Sequence, residues 1–214
     1  MRKFATAILA TASLTTASCG PGVPIELPED DLEAAKICFT AKGMVLREGK
    51  SEGDAVTFEE FTGAIKYPMI AASRTDPFDI NALTGILDGA EAIADDVASK
   101  DYAGAIEGCD ARFKPAPLKL PEADKDAIIS CTAMAGFLSG AVENESAEFG
   151  KEGNGTSALL DRLEAAMQQN PDLLVMLIQE DPAEIMNAAL KDGFAQGDIE
   201  GYVAQCEKRY PAVS

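Results

Sequence analysis

Leu120–Gly136 reads LPEADKDAIISCTAMAG, and Leu27–Gly43 reads LPEDDLEAAKICFTAKG. The two stretches agree at Leu, Pro, Glu, Asp, Ala, Cys and Gly at one constant offset of 93 residues. Each has a companion further along the chain. Asp101–Phe113 and Asp198–Tyr210 share the pattern D-x-x-G-x-x-x-x-C-[DE]-x-R-[FY] at an offset of 97. The match extends upstream, with Asp95 and Ala98 corresponding to Asp192 and Ala195. The pattern predicts an all-α tandem duplication of two small helical bundles, each opened and closed by a cysteine-bearing helix.

The cysteines follow from this arrangement. Five are present, an odd number for an exported chain. Setting Cys19 aside leaves Cys38, Cys109, Cys131 and Cys206, which allow three connectivities. A duplicated bond requires like spacings, and 71 and 75 residues meet that requirement. The expected disulfides are therefore Cys38–Cys109 and Cys131–Cys206, joining the first and last helices of each half.

The expected layout is a signal peptide over 1–18, a flexible tether over 19–26, one helical repeat over 27–114, a linker over 115–119 and a second repeat over 120–214. Arg2 and Lys3 form a basic start, Phe4–Leu14 is small and apolar, and Thr16-Ala17-Ser18 offers small residues for cleavage. Cys19 stands at the cleavage point before a Gly/Pro stretch suited to a tether. It resembles the acceptor of a bacterial lipoprotein signal, although Thr16 occupies the usual leucine position. Ordinary cleavage is the other reading. The expected location is the periplasm or, with a lipid on Cys19, the outer membrane.

Helix signals dominate the rest. Acidic residues after Pro28 favour a first turn, with a helix expected to about Arg47. Thr57-Phe-Glu-Glu60 is a capping box for a helix to about Ser73. Asp76-Pro77 breaks the chain, and helices follow over roughly 79–99 and 101–113. In the second half a longer helix over about 122–148 precedes a glycine-rich loop at 150–155. Asn170-Pro171 and Asp181-Pro182 each place a cap before a proline at the first helical position. They split into two short helices what is one long helix in the first half. Gly43 and Gly104 lie five residues from their cysteines, which would bring them to one height in an antiparallel helix pair; the rotation of the helix leaves contact between them open.

Composition narrows the chemistry. The chain has no histidine, which excludes Ser-His-Asp and Cys-His catalysis and His-ligated metals. It has no tryptophan and four tyrosines, a poor basis for a nucleic-acid stacking platform. The formal charge is −18, and losing the two basic residues of the leader takes it to −20. Such a field repels nucleic acid and attracts cationic partners, and it also simply keeps a protein soluble. Glu48-Gly-Lys-Ser51 resembles the end of a phosphate-binding loop, but the glycine that motif needs falls on Met44. The same segment fails as a calcium loop because Lys50 would occupy a ligand position. No metal or cofactor is expected.

Three sets of residues remain as candidates. The acid pairs Asp30/Asp31, Glu59/Glu60 and Asp95/Asp96 would serve an enzyme using carboxylates alone, but neighbours on a helix point about 100° apart. Arg112 and Arg209 recur three residues after each terminal cysteine, as anion contacts or as structural ion pairs at a helix end. Phe113 and Tyr210 beside them are expected to anchor the core. Leu173–Ile178 is the most apolar stretch after the leader and reads as a buried core helix. With one side exposed, Leu173, Leu174, Met176, Leu177 and Ile178 would instead form a partner or ligand surface.

In size, export signal and end-to-end disulfide, each half resembles small helical periplasmic proteins such as type VI secretion immunity proteins and acid-stress chaperones. The likeness is one of design, and no residue role follows from it. The expected function is a non-enzymatic envelope protein that binds or inhibits a macromolecule. Alternatives are a small-ligand carrier with an apolar pocket under helix 171–180, and a carboxylate-only enzyme. Differences between the copies, at the longer helix, the 150–155 loop and Leu173–Ile178, are the places to look for function. Fatty-acid labelling that Cys19→Ser abolishes is the expected signature of a lipid anchor; an unlabelled wild-type protein would leave ordinary cleavage.

Overall fold

The computed structural model describes residues 22–51, 54, 56–149 and 155–212. Among them are nine α-helices and no strand: α1 (Asp31–Arg47), α2 (Phe58–Ser73), α3 (Ile80–Ala98), α4 (Tyr102–Arg112), α5 (Asp124–Phe149), α6 (Gly155–Gln168), α7 (Pro171–Gln179), α8 (Pro182–Gln196) and α9 (Ile199–Arg209). The expected signal peptide and Cys19 lie outside the described residues, as do positions 150–154 of the glycine-rich loop.

Side-chain caps start most of these helices. Asp30, two residues after Pro28, accepts from the Glu33 N–H at 2.9 Å and opens α1. The capping box of α2 is complete: Glu60 N–H donates to Thr57 Oγ1 at 3.2 Å and Thr57 N–H to Glu60 Oε2 at 2.7 Å. Asp79, Asn170 and Asp181 cap α3, α7 and α8, the last two followed by proline. Pro68 lies inside α2, where the helix continues past the lost donor.

In the first half, α1 packs along α2, α3 and α4; in the second, α5 packs along α6, α8 and α9. Disulfides join the outer members of each set. Cys38 of α1 bonds Cys109 of α4, and Cys131 of α5 bonds Cys206 of α9, with Cα–Cα separations of 5.6 and 5.7 Å. All four cysteines are fully buried.

The halves also share a core, which the sequence patterns do not announce. Ten of the sixteen residues of α2 are buried, on more than one face. Tyr67, Ile70 and Ala71 enter a cluster with Ala34, Ala35, the first disulfide and Phe113. Ile65, Met69 and Ala72 enter another with Met134, Leu138, Leu163, Phe194, Tyr202 and the second disulfide. Phe194 of α8 receives Phe78 and Phe137 edge-on, at ring centroid distances of 6.0 and 4.8 Å. Gly197 ends α8 at φ +64°, and a Cβ there would stand 2.8 Å from the Ile70 side chain, so both its conformation and its closeness to α2 favour glycine. At the rim, Thr62 Oγ1 donates to Glu200 Oε1 at 2.7 Å and Lys191 Nζ to the Thr75 carbonyl at 3.4 Å.

Two connecting segments are docked on the body. Ala116 N–H donates to the Ala195 carbonyl at 2.9 Å, and Lys119 N–H to Gln196 Oε1 at 2.7 Å. Val23, expected within a flexible tether, accepts from the Asp101 N–H at 2.9 Å, so the chain is held at the α3–α4 corner from Gly22 onward.

The shared core predicts that residues 22–114 alone leave Ile65, Met69, Ala72 and Leu83 uncovered. That fragment should bind an apolar dye and self-associate. A monomeric, cooperatively unfolding fragment that ignores the dye would show that α2 needs nothing from the second half.

Candidate interaction surface

The two recurring arginines occupy like positions. Arg112 donates to the carbonyls of Pro28 and Glu29 and, from Nε at 2.9 Å, to Asp31 Oδ1. Arg209 donates to the Pro121 carbonyl at 2.7 Å and the Glu122 carbonyl at 3.1 Å, with Asp124 Oδ1 at 3.4 Å. In each half the arginine at the end of the last helix thus holds the entry turn of the first, one turn beyond the disulfide. Arg74, which sequence reasoning did not single out, adds a 2.9 Å bond to Asp31 Oδ2 and another to the Arg112 carbonyl at 3.0 Å. Burial alone would raise the Asp31 pKa, but the hydrogen bonds and charges of Arg74 and Arg112 outweigh it and hold the carboxyl below its ordinary value.

The aromatic after each arginine completes the clamp. Phe113 is fully buried and meets Tyr67 edge-on at 6.1 Å. Tyr210 is only partly buried, because its hydroxyl reaches out to Asp124 Oδ1 at 3.0 Å. Burial, followed by that hydrogen bond, pushes the Tyr210 phenol up to about 12.

The motif glycines serve the caps. The Asp101 carboxylate accepts from Gly104 N–H at 2.9 Å and that of Asp198 from Gly201 N–H at 2.8 Å. A Cβ at Gly104 or Gly201 would lie within 2.3 or 2.2 Å of the capping oxygen. Gly104 therefore meets Asp101 rather than Gly43, and an added Cβ at Gly43 or Gly136 would have nothing within 4 Å. Nothing in the structure explains why those two recur.

The acid pairs separate into other duties. Asp30 caps α1 while Asp31 receives the arginines. Glu60 belongs to the capping box and to an ion pair with Lys50, and Asp96 pairs with Lys100 at 2.7 Å. Among the described residues no group of three or more His, Cys, Asp or Glu could hold a metal ion. No described helix is long and apolar enough to cross a membrane.

A cleft of about 390 Å³ lies between the linker and α8, bordered by Ala116, Pro121, Ser130, Asp192 and Tyr202. Sequence reasoning missed it because its walls come from distant segments. No residue of α7 lines it, so the ligand pocket imagined under helix 171–180 is not this cleft.

Helix α7 itself departs from the buried helix expected. Leu173 is fully buried beneath it, and Met176 and Leu177 are half-buried against Ile128, Ile129 and Ala189. Leu174, Val175 and Ile178 face outward with exposures of 41%, 50% and 84%. Six consecutive apolar residues cover more than one face of a helix, and α7 packs on one side only. The result is a short exposed apolar ridge on a helix capped by Asn170, whose Oδ1 accepts from Leu173 N–H at 3.1 Å. Around it, Met167, Met176 and Met186 are partly buried against the same cluster.

Comparison with known protein families, with characterised proteins and with solved structures finds no match to this chain.

The arginine clamp gives a pH-dependent prediction. A carboxyl held below its ordinary value stabilises the fold above that value and ceases to do so as pH falls through its folded pKa. Asp31→Asn should therefore cost about 1 kcal/mol at neutral pH, since the network is partly exposed. The gap from wild type should close as pH is lowered from about 5 to about 2. Urea unfolding across that range reads it directly; a gap that stays constant with pH would remove the Asp31 charge from the explanation.

Proposed function

We propose that this chain is an exported, non-enzymatic protein of the bacterial cell envelope that binds a protein partner through α7. The single observation carrying the binding reading is the ridge of Leu174, Val175 and Ile178. Three large aliphatic side chains turned to water on one short helix cost solvation that a partner would recover. Export is supported by the leader and by two disulfides, whose chemistry belongs to oxidising compartments. The non-enzymatic reading rests on the missing histidine and on the employment of Asp30, Asp31, Glu60 and Asp96 as caps and ion pairs. A lipid on Cys19 would hold the body at the outer membrane, with the docked segment from Gly22 making the connection short.

The same proposal includes the tandem duplication. Its support is the pairing of Arg112 with Pro28, Glu29 and Asp31 against Arg209 with Pro121, Glu122 and Asp124, at the offsets found between the sequence copies. On this reading α7 lies where the copies differ, since α7 and α8 stand in place of the single helix α3.

A photo-crosslinking residue placed at position 178 in living cells should give a discrete protein adduct. The same residue at exposed Glu107 should not. Equal labelling at the two positions, or none at either, would overturn the α7 reading.

A further inference from the structure

The composition of the chain around α7 is one-sided. From Leu163 to Leu190 there is no lysine or arginine, while Glu164, Asp172, Glu180, Asp181 and Glu184 are all acidic. The basic residues that bracket this stretch are used elsewhere: Arg162 donates to the Tyr210 carbonyl at 2.8 Å and Lys191 reaches the Thr75 carbonyl. Asp172, Glu180, Asp181 and Glu184 are exposed, at the two ends of α7 and at the start of α8. An apolar ridge a little over one turn long thus lies between acidic ends, with no cation of its own stretch to neutralise them.

We infer that the α7 ridge docks a basic amphipathic helix of a partner protein; this rests on the binding reading above and specifies its chemistry. The ridge residues Leu174, Val175 and Ile178 follow an i, i+1, i+4 spacing, which presents one stripe to the apolar face of another helix. Lysine or arginine on the flanks of that face would meet the acidic ends, and their long apolar stems would extend the contact. The half-buried Met167, Met176 and Met186 give the rim unbranched side chains that adjust to different apolar partners. A second copy of this chain fits poorly, since each copy brings the same acids to the contact and a formal charge of −18. An anionic membrane surface is disfavoured by the same charge.

The test is a fluorescence titration of the full protein with a Leu/Lys amphipathic peptide of about 18 residues, long enough to form a helix. Binding should weaken severalfold between roughly 50 and 300 mM salt. Ile178→Asp, at an exposed position, should weaken it about tenfold or more while leaving far-UV circular dichroism unchanged. Glu180→Gln/Glu184→Gln should lower affinity and flatten the salt dependence. Equal binding to wild type and Ile178→Asp would mean general attraction to an acidic surface and would overturn the inference. Equal affinity for a Leu/Gln or Leu/Glu peptide would remove the basic character while leaving α7 as a docking face. Dimerisation abolished by Ile178→Asp, or recruitment to phosphatidylglycerol vesicles abolished by it, would replace the partner helix with a second copy or a membrane. No peptide binding beside a discrete crosslink at 178 would reject the partner class alone, and failure of both would reject the surface.

Discussion

The structure depends on the burial of α2 from two directions. A helix that is apolar on more than one face leaves hydrocarbon in water on every face that is not covered, and α2 is covered on all of its apolar faces. Here Tyr67, Ile70 and Ala71 join a cluster with residues of the first half, and Ile65, Met69 and Ala72 join one with residues of α5, α6, α8 and α9 of the second. Gly197 lets the end of α8 come against Ile70, and the linker is held on that same end through Ala195 and Gln196. The polar contacts Thr62–Glu200 and Lys191–Thr75 then close the rim of an already apolar joint.

Each half is also closed on itself. A disulfide fixes the separation of its first and last helices, and an arginine one turn further on holds the first helix's entry turn by its carbonyls. The carbonyls before a helix point toward the neighbouring helix end, where the fork of a guanidinium can donate to two of them at once. The halves differ in the third partner. Asp31 takes two arginines, whereas Asp124 takes Arg209 more distantly and a tyrosine hydroxyl. The proposed duplication would therefore have kept the clamp and varied its flank.

Charge is distributed to match this division. Much of what is basic in the first half is committed to acids: Lys36 to Glu33, Lys50 to Glu60, Lys66 to Asp110 and Arg74 to Asp31. The stretch around α7 has no basic residue with which to do the same. An apolar ridge in an acidic setting is a poor surface for self-association and a favourable one for a cationic helix, which is the basis of the proposed partner chemistry.

Much was determined locally and so was legible in the residues. Thr57 with Glu60, Asp101, Asn170, Asp181 and Asp198 announced helix starts because a capping carboxylate, hydroxyl or amide acts within three residues of itself. The recurrence of Cys at matched spacing led to the two disulfides, since like halves require like bonds. The D-x-x-G pattern was visible, but its meaning was not: Gly104 and Gly201 admit the carboxylates of their own caps rather than a neighbouring helix. Arg112 and Arg209 were found by repetition, yet their targets, a pair of backbone carbonyls more than eighty residues away, carry no side-chain signal. The fate of Leu173–Ile178 was likewise open. Six apolar residues in a row specify a helix with more hydrocarbon than one contact can bury, and say nothing of how many neighbours will arrive. The amino-acid sequence by itself determined the helices, their caps and the bonds that close each half. Only the tertiary structure decided that α2 would be covered from both sides and α7 from one, because coverage depends on which distant surfaces meet.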